Sequence, residues 1–103
     1  MPDSVLVGVR ERLEAHVKEN WPRCKAIEVR KRGAFVYVAA QGGEDPEPAP
    51  LCRLRYLGSA DSWEFAYFTW SREAYEPSFL DSGEPFGTPE ECFDASATGL
   101  FAE

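Results

Sequence analysis

The sequence predicts an α+β domain of two layers: an antiparallel four- or five-stranded meander sheet flanked by an N-terminal and a C-terminal helix. Three observations carry that reading. The chain opens on an apolar stripe at helical spacing, its middle is a series of strand-like runs broken by Gly and Pro, and a capping box opens a last helical segment. One domain fits 103 residues, and a chain of that length buries a core without metals or disulfides.

The first helix is predicted over about residues 4–20, with Asp3 and Ser4 as caps. Leu6, Val9, Leu13 and Val17 form its apolar stripe, and Asn20-Trp21-Pro22 ends it, Asn20 tolerating a left-handed cap. Strands follow over about 26–31 and 34–40, joined at Arg32-Gly33. The first alternates apolar and charged residues. The second, Ala34–Ala40, is apolar throughout and reads as central and covered on both sides. Residues 41–50, with Gly, Pro and acids, read as a mobile loop.

Strands over about 51–57 and 63–71 form a long hairpin. A four-residue turn at Gly58–Asp61 pairs Tyr56 with Trp63, Leu54 with Phe65 and Cys52 with Tyr67 on one face, and sets Arg55 opposite Glu64 on the other. The second face also carries Leu51, Leu57, Phe68 and Trp70, so the hairpin is aromatic on both sides. An edge strand over about 74–80 accommodates Pro77. Thr88-Pro89-Glu90-Glu91 then caps a helix over about 89–98, with Cys92, Phe93 and Ala97 inward. That helix is expected to stop at Gly99, with Leu100 and Phe101 folding back as a plug.

Composition excludes several function classes. The net charge of −7 is uneven: residues 1–32 hold eight Lys/Arg against five Asp/Glu, and residues 33–103 hold three against thirteen. An acidic body repels phosphates, so no nucleic-acid partner is expected, and the run Arg30-Lys31-Arg32 reads as solvated. The N-terminus lacks the pattern of an export signal and no apolar run spans a bilayer, so a cytoplasmic location away from membranes is expected. Cys24, Cys52 and Cys92 lie far apart without a C-x-x-C, which argues against disulfides and zinc. Cys52 and Cys92 are placed inward, where burial makes poor nucleophiles of them.

No catalytic residue, metal site or cofactor is assigned. His16 is the only histidine and lies at the edge of the apolar stripe, where a structural role is expected. The pairs Glu73 with Glu76 and Asp61 with Glu64 flank exposed turns and not a pocket, which argues against acid–base work. The glycines form no phosphate loop or dinucleotide fingerprint.

From Leu51 to Phe101 the chain resembles small uncharacterised bacterial domains. The shared pattern is a strand like Arg53-Leu54-Arg55-Tyr56, then Trp63 with an aromatic strand, Tyr75-Glu76-Pro77, and Gly87-Thr88-Pro89-Glu90-Glu91 before a last helix. These are core aromatics and a cap, so the resemblance implies a topology and no activity.

Two functions follow as expectations. The first is a non-catalytic protein-interaction or homodimerisation module, with Phe68, Trp70, Leu51 and Arg53 as its surface, bared if both helices cover the face bearing Leu54 and Phe65. The other is a small-molecule-binding domain or minor enzyme, its sheet–helix pocket lined by Tyr56, Trp63 and Tyr67. A negative field from Glu73, Glu76, Asp81, Glu84, Glu90, Glu91 and Asp94 would suit a basic partner, though solubility alone explains such charges.

Overall fold

The structure, a computed structural model, describes residues 2–42 and 47–101. Helix α1 (Asp3–Asn20) precedes strands β1 (Cys24–Arg32), β2 (Phe35–Gly42), β3 (Ala49–Ser59), β4 (Ser62–Thr69), β5 (Ala74–Pro77) and β6 (Phe86–Gly87), and helix α2 (Pro89–Phe101) closes the chain. The sheet runs β1-β2-β3-β4-β5 with every pairing antiparallel, which is the expected meander. The short β6, absent from the sequence reading, continues the same edge of β4 that β5 occupies: Phe86 and Gly87 pair with Glu64 and Trp63.

Alternation decides the core. Val36, Val38 and Ala40 of β2, Cys52 and Leu54 of β3, and Trp63 and Phe65 of β4 all point to one side and are buried. Val9, Leu13 and Val17 of α1 and Cys92, Phe93 and Ala97 of α2 meet them there in a single cluster. α1 lies on β1, α2 lies on β3 and β4, and the helices touch each other. Both therefore cover the same face. The prediction that β2 is covered on both sides fails for that reason: Phe35, Tyr37 and Ala39 stay half-buried on a face that no helix reaches.

The hairpin β3–β4 has the expected register. Tyr56 pairs with Trp63, Leu54 with Phe65, Cys52 with Tyr67 and Arg55 with Glu64. The turn is tighter than expected, because Ser59 pairs with Ser62 after an irregularity in which Gly58 takes a φ of 92°. Trp63 is fully buried, and its indole N–H donates to the Ala60 carbonyl at 2.9 Å, which fastens the ring under the turn. The β1–β2 turn is Gly33-Ala34, one residue later than predicted, with Gly33 at φ 61°.

Helix ends corrected three expectations and met a fourth. Asp3 is not a cap. Pro2 precedes the helix, and the Asp3 carboxylate, inside the first turn, accepts from Lys31 Nζ at 2.8 Å, which holds the acid below its ordinary range. Asn20 does not take a left-handed conformation either: it remains helical, its amide donates to the His16 carbonyl, and the Trp21 N–H donates to the Val17 carbonyl. At α2 the capping box is complete. The Glu91 N–H donates to Thr88 Oγ1 at 3.2 Å, and the Thr88 N–H donates to Glu91 Oε1 at 3.1 Å. Gly99 does not end this helix, which runs on to Phe101; the side chains of Leu100 and Phe101 lie outside the described part. Of the expected loop 41–50, residues 41–42 extend β2, residues 49–50 begin β3, and residues 43–46 lie outside the described residues. The expected edge strand 74–80 ends at Pro77, although the Ser78 N–H still donates to the Phe65 carbonyl of β4 at 3.2 Å.

Arg12 joins three elements. Its guanidinium donates to both carboxylate oxygens of Glu90 at 2.8 and 3.0 Å, to Asp61 at 2.9 Å and to the Ala60 carbonyl at 3.1 Å. This ties α1 to the start of α2 and to the β3–β4 turn. The group is half-buried, and bidentate geometry makes it stronger than an ordinary surface pair. Arg12→Met should lower unfolding free energy by about 1–2 kcal/mol. In denaturant titrations, Arg12→Met in a Glu90→Gln background should cost much less than in the parent. Additive losses would show that the pair contributes nothing.

Candidate interaction surface

The face opposite the helices is built from alternate residues of all five long strands. Register places Arg32, Phe35, Arg55 and Glu64 side by side in one row, and Arg30, Tyr37, Arg53, Ala66 and Pro77 in the next. Phe68 of β4 pairs with Tyr75 of β5 beyond them. The rings lean together: Tyr37 lies 5.3 Å from Tyr75, Tyr75 lies 5.2 Å from Phe68, and Phe68 lies 5.0 Å from Trp70, all edge-to-face. The guanidinium of Arg53 sits 4.6 Å above the ring of Phe35 and 5.8 Å from that of Tyr75. Ala66, in the middle of this face, is 4% exposed, so its neighbours close over it. Desolvation raises the Tyr75 hydroxyl above its ordinary range.

The expected surface residues separate on this geometry. Phe68 and Arg53 belong to the cluster, half-buried, and Trp70 stands beside it at 62% exposure. Leu51 does not belong. The β2–β3 register shifts between Val38 and Ala39, and Leu51 turns into the core at 5% exposure. Leu57 is exposed at the far end of β3.

Tyr56, Trp63 and Tyr67 sit on the helix side. Tyr56 packs against Trp63 at 5.1 Å, but Trp63 has no exposed surface, and Tyr67 lies two strand pairs further along, half-exposed. The structure does not gather the three into one cavity. A groove of about 440 Å³ at the end of the sheet holds Tyr67, Trp70 and Phe79 over Leu51, Phe65 and Ala95. A wider groove of about 750 Å³ lies on the open face, between the β1 side chains Glu28, Arg30 and Arg32 and the Tyr37–Tyr75 pair.

Four residues of this surface were missed by sequence reasoning: Phe35, Tyr37, Tyr75 and Phe79, the last being 68% exposed. The alternation of Phe35 and Tyr37 with Val36 and Val38 was a usable signal. What it lacked was the knowledge that both helices fall on the valine side.

Several acids expected to project a field are committed within the fold. Glu90 holds Arg12, Glu91 closes the capping box, Glu76 pairs with Arg72 at 2.7 Å, and Asp94 accepts from two partners. Those partners are His16 Nε2 at 2.7 Å and the Trp21 indole N–H at 2.8 Å, which pin the end of α1 to α2. No serine or cysteine side chain joins that His–Asp pair among the described residues, and Ser96 donates to the carbonyls of Cys92 and Phe93. His16 thus has a structural place. No group of three or more His, Cys, Asp and Glu side chains that could hold a metal gathers among the described residues, and no helix there is long and apolar enough to cross a membrane.

Against known proteins, the chain matches no family model, no curated relative and no solved structure.

All three cysteines are buried and unpaired in disulfides. Burial pushes the Cys52 thiol up to about 12 and raises Cys92 and Cys24 as well. The neutral thiol is therefore favoured in the fold. Its stabilising contribution is whole below the ordinary thiol value near 9 and is lost as pH rises toward about 12, because the unfolded thiol ionises first. The native protein at pH 8 should leave Cys52 and Cys92 unreactive toward an aromatic disulfide reagent, with all three thiols reacting once guanidinium unfolds it. Rapid native reaction at Cys52 would contradict this placement.

Proposed function

We propose that this protein is a non-catalytic interaction module whose contact surface is the helix-free face of its sheet, continued over the strand end by Trp70. The observation that carries the reading is the one-sided cover. Both helices pack on the face bearing Leu54, Trp63 and Phe65, while Phe35, Tyr37, Phe68, Tyr75 and Trp70 remain on a face with no second layer among the described residues. Clustered aromatic rings beside arginine are the residue types that dominate binding energy at interfaces. Edge-to-face packing holds these rings in place before any partner arrives, which lowers the entropy lost on binding.

Trp70 is the residue to change, because it is exposed enough for a substitution to leave the core intact. Trp70→Glu should fold with the parent's thermal midpoint and weaken association at least about tenfold, as loss of an aromatic anchor does. Association is read in two ways: molar mass by light scattering over a concentration series, and affinity capture with the parent and variant side by side. A folded variant that keeps every association of the parent, or a parent that makes none, would overturn the reading.

A further inference from the structure

The arginines of this chain divide into two groups. Arg10 donates to the Val29 carbonyl, Arg12 to Glu90 and Asp61, and Arg72 to Glu76, while Arg30 pairs with Glu28. Arg32, Arg53 and Arg55 make no hydrogen bond or ion pair among the described residues. Those three are neighbours. Arg32 and Arg55 flank Phe35 in register on either side, and Arg53 lies over the same ring. Glu64 stands opposite Arg55 in register but forms no ion pair with it.

Leaving three guanidinium groups together and unpaired is a choice against the charge balance. The chain has 18 Asp/Glu for 11 Lys/Arg, and beyond residue 32 its only basic residues are Arg53, Arg55 and Arg72. Two of those three lie in this cluster. Like charges at this spacing repel, and the repulsion is relieved when an anion enters between them. Arginine forks suit carboxylates in bidentate geometry, and Phe35 adds an apolar surface at the centre.

We propose that Arg32, Arg53 and Arg55 form an anion-recognition site around Phe35, and that its occupant is an acidic segment of a protein partner carrying an aromatic or aliphatic residue. This rests on the contact reading of the same face and names the chemistry of the partner. Charge complementarity selects among occupants. A second copy laid face to face sets one arginine cluster near another. A single-stranded nucleic acid extends past the patch into a body with thirteen acids against three basic residues from residue 33 onward. Tyr37, Phe68 and Tyr75 are engaged edge-to-face with one another, which leaves Trp70 as the open ring and no row of rings for successive bases. A short acidic segment meets neither obstacle. The run Arg30-Lys31-Arg32 contributes to this site only in part: alternation sends Lys31 to Asp3 of α1 and leaves Arg32 on the open face.

The test is fluorescence anisotropy with a labelled short peptide of Glu, Asp and Phe, run beside a peptide with Lys in place of the acids and a labelled oligothymidylate. The parent should bind the acidic peptide, more weakly as salt rises, and bind the other two at least about tenfold less well. Arg32→Gln combined with Arg55→Gln should weaken binding about tenfold or more and flatten the salt dependence. Arg72→Gln, which removes one such charge elsewhere, should leave binding within about twofold, and each single variant, Arg32→Gln or Arg55→Gln, should weaken it more than that. No preference for the acidic peptide, equal binding by the double variant, or tighter binding of the oligonucleotide would overturn the proposal. So would a parent that dimerises through this face. If the peptide fails while Trp70→Glu still abolishes association, the contact surface stands and only the acidic partner is wrong.

Discussion

The pairing of Tyr56 with Trp63 is the constraint on which the rest of this structure depends. Side chains alternate along a strand, so one register sends Cys52, Leu54, Trp63 and Phe65 to one face and Arg53, Arg55, Glu64 and Phe68 to the other. A slip by one residue would drive Arg53 or Arg55 into the core, at a cost of several kcal/mol for an unpaired buried charge. The indole of Trp63 fixes this register from within, being fully buried and hydrogen-bonded beneath its own turn. Every other strand then builds outward from the hairpin: β2 on β3, β1 on β2, and β5 with β6 on β4.

With two distinct faces on the hairpin, both helices settle on the same one. The stripe Val9, Leu13 and Val17 and the set Cys92, Phe93 and Ala97 both pack on the side bearing Val36, Leu54, Trp63 and Phe65, where they share one core. Arg12 then links helix to helix and helix to turn through paired oxygens, and His16 with Trp21 does the same at the opposite end through Asp94. These polar ties fix the angle of two helices that apolar burial alone would leave free to rotate. The other face is left to cover itself, with rings edge against face and one arginine above them. It is ordered without being enclosed, the condition under which a surface can bind without first rearranging.

Charge is distributed on the same principle. Four of the seven acids that looked like a continuous negative surface in the sequence are individually engaged: Glu90 with Arg12, Glu76 with Arg72, Glu91 with a helix cap, and Asp94 with an imidazole and an indole. Among the described residues the arginines are engaged too, except where three of them meet around Phe35. A list of charged residues shows their number. Only their pairing shows which are left to act on something else.

What the sequence by itself determined is what short-range physics encodes. Periodicity placed both helices and the long strands, Thr88-Pro89-Glu90-Glu91 placed the start of α2, and the cross-strand logic of a local hairpin gave the β3–β4 register residue by residue. Phe68 and Trp70 were therefore visible as candidates for a second face. Tertiary structure alone decided which face both helices would cover, because an amphipathic stripe states that a helix packs and not where. It also decided the β2–β3 register: those strands are joined by a long connection and a shift at Val38, so no local pairing rule reaches across them. That shift buried Leu51, which alternation had placed outside, and set Phe35 between Arg32 and Arg55, which no reading of the linear chain brings together. Local interactions fix which elements form, whereas the surface they leave open is a property of their assembly.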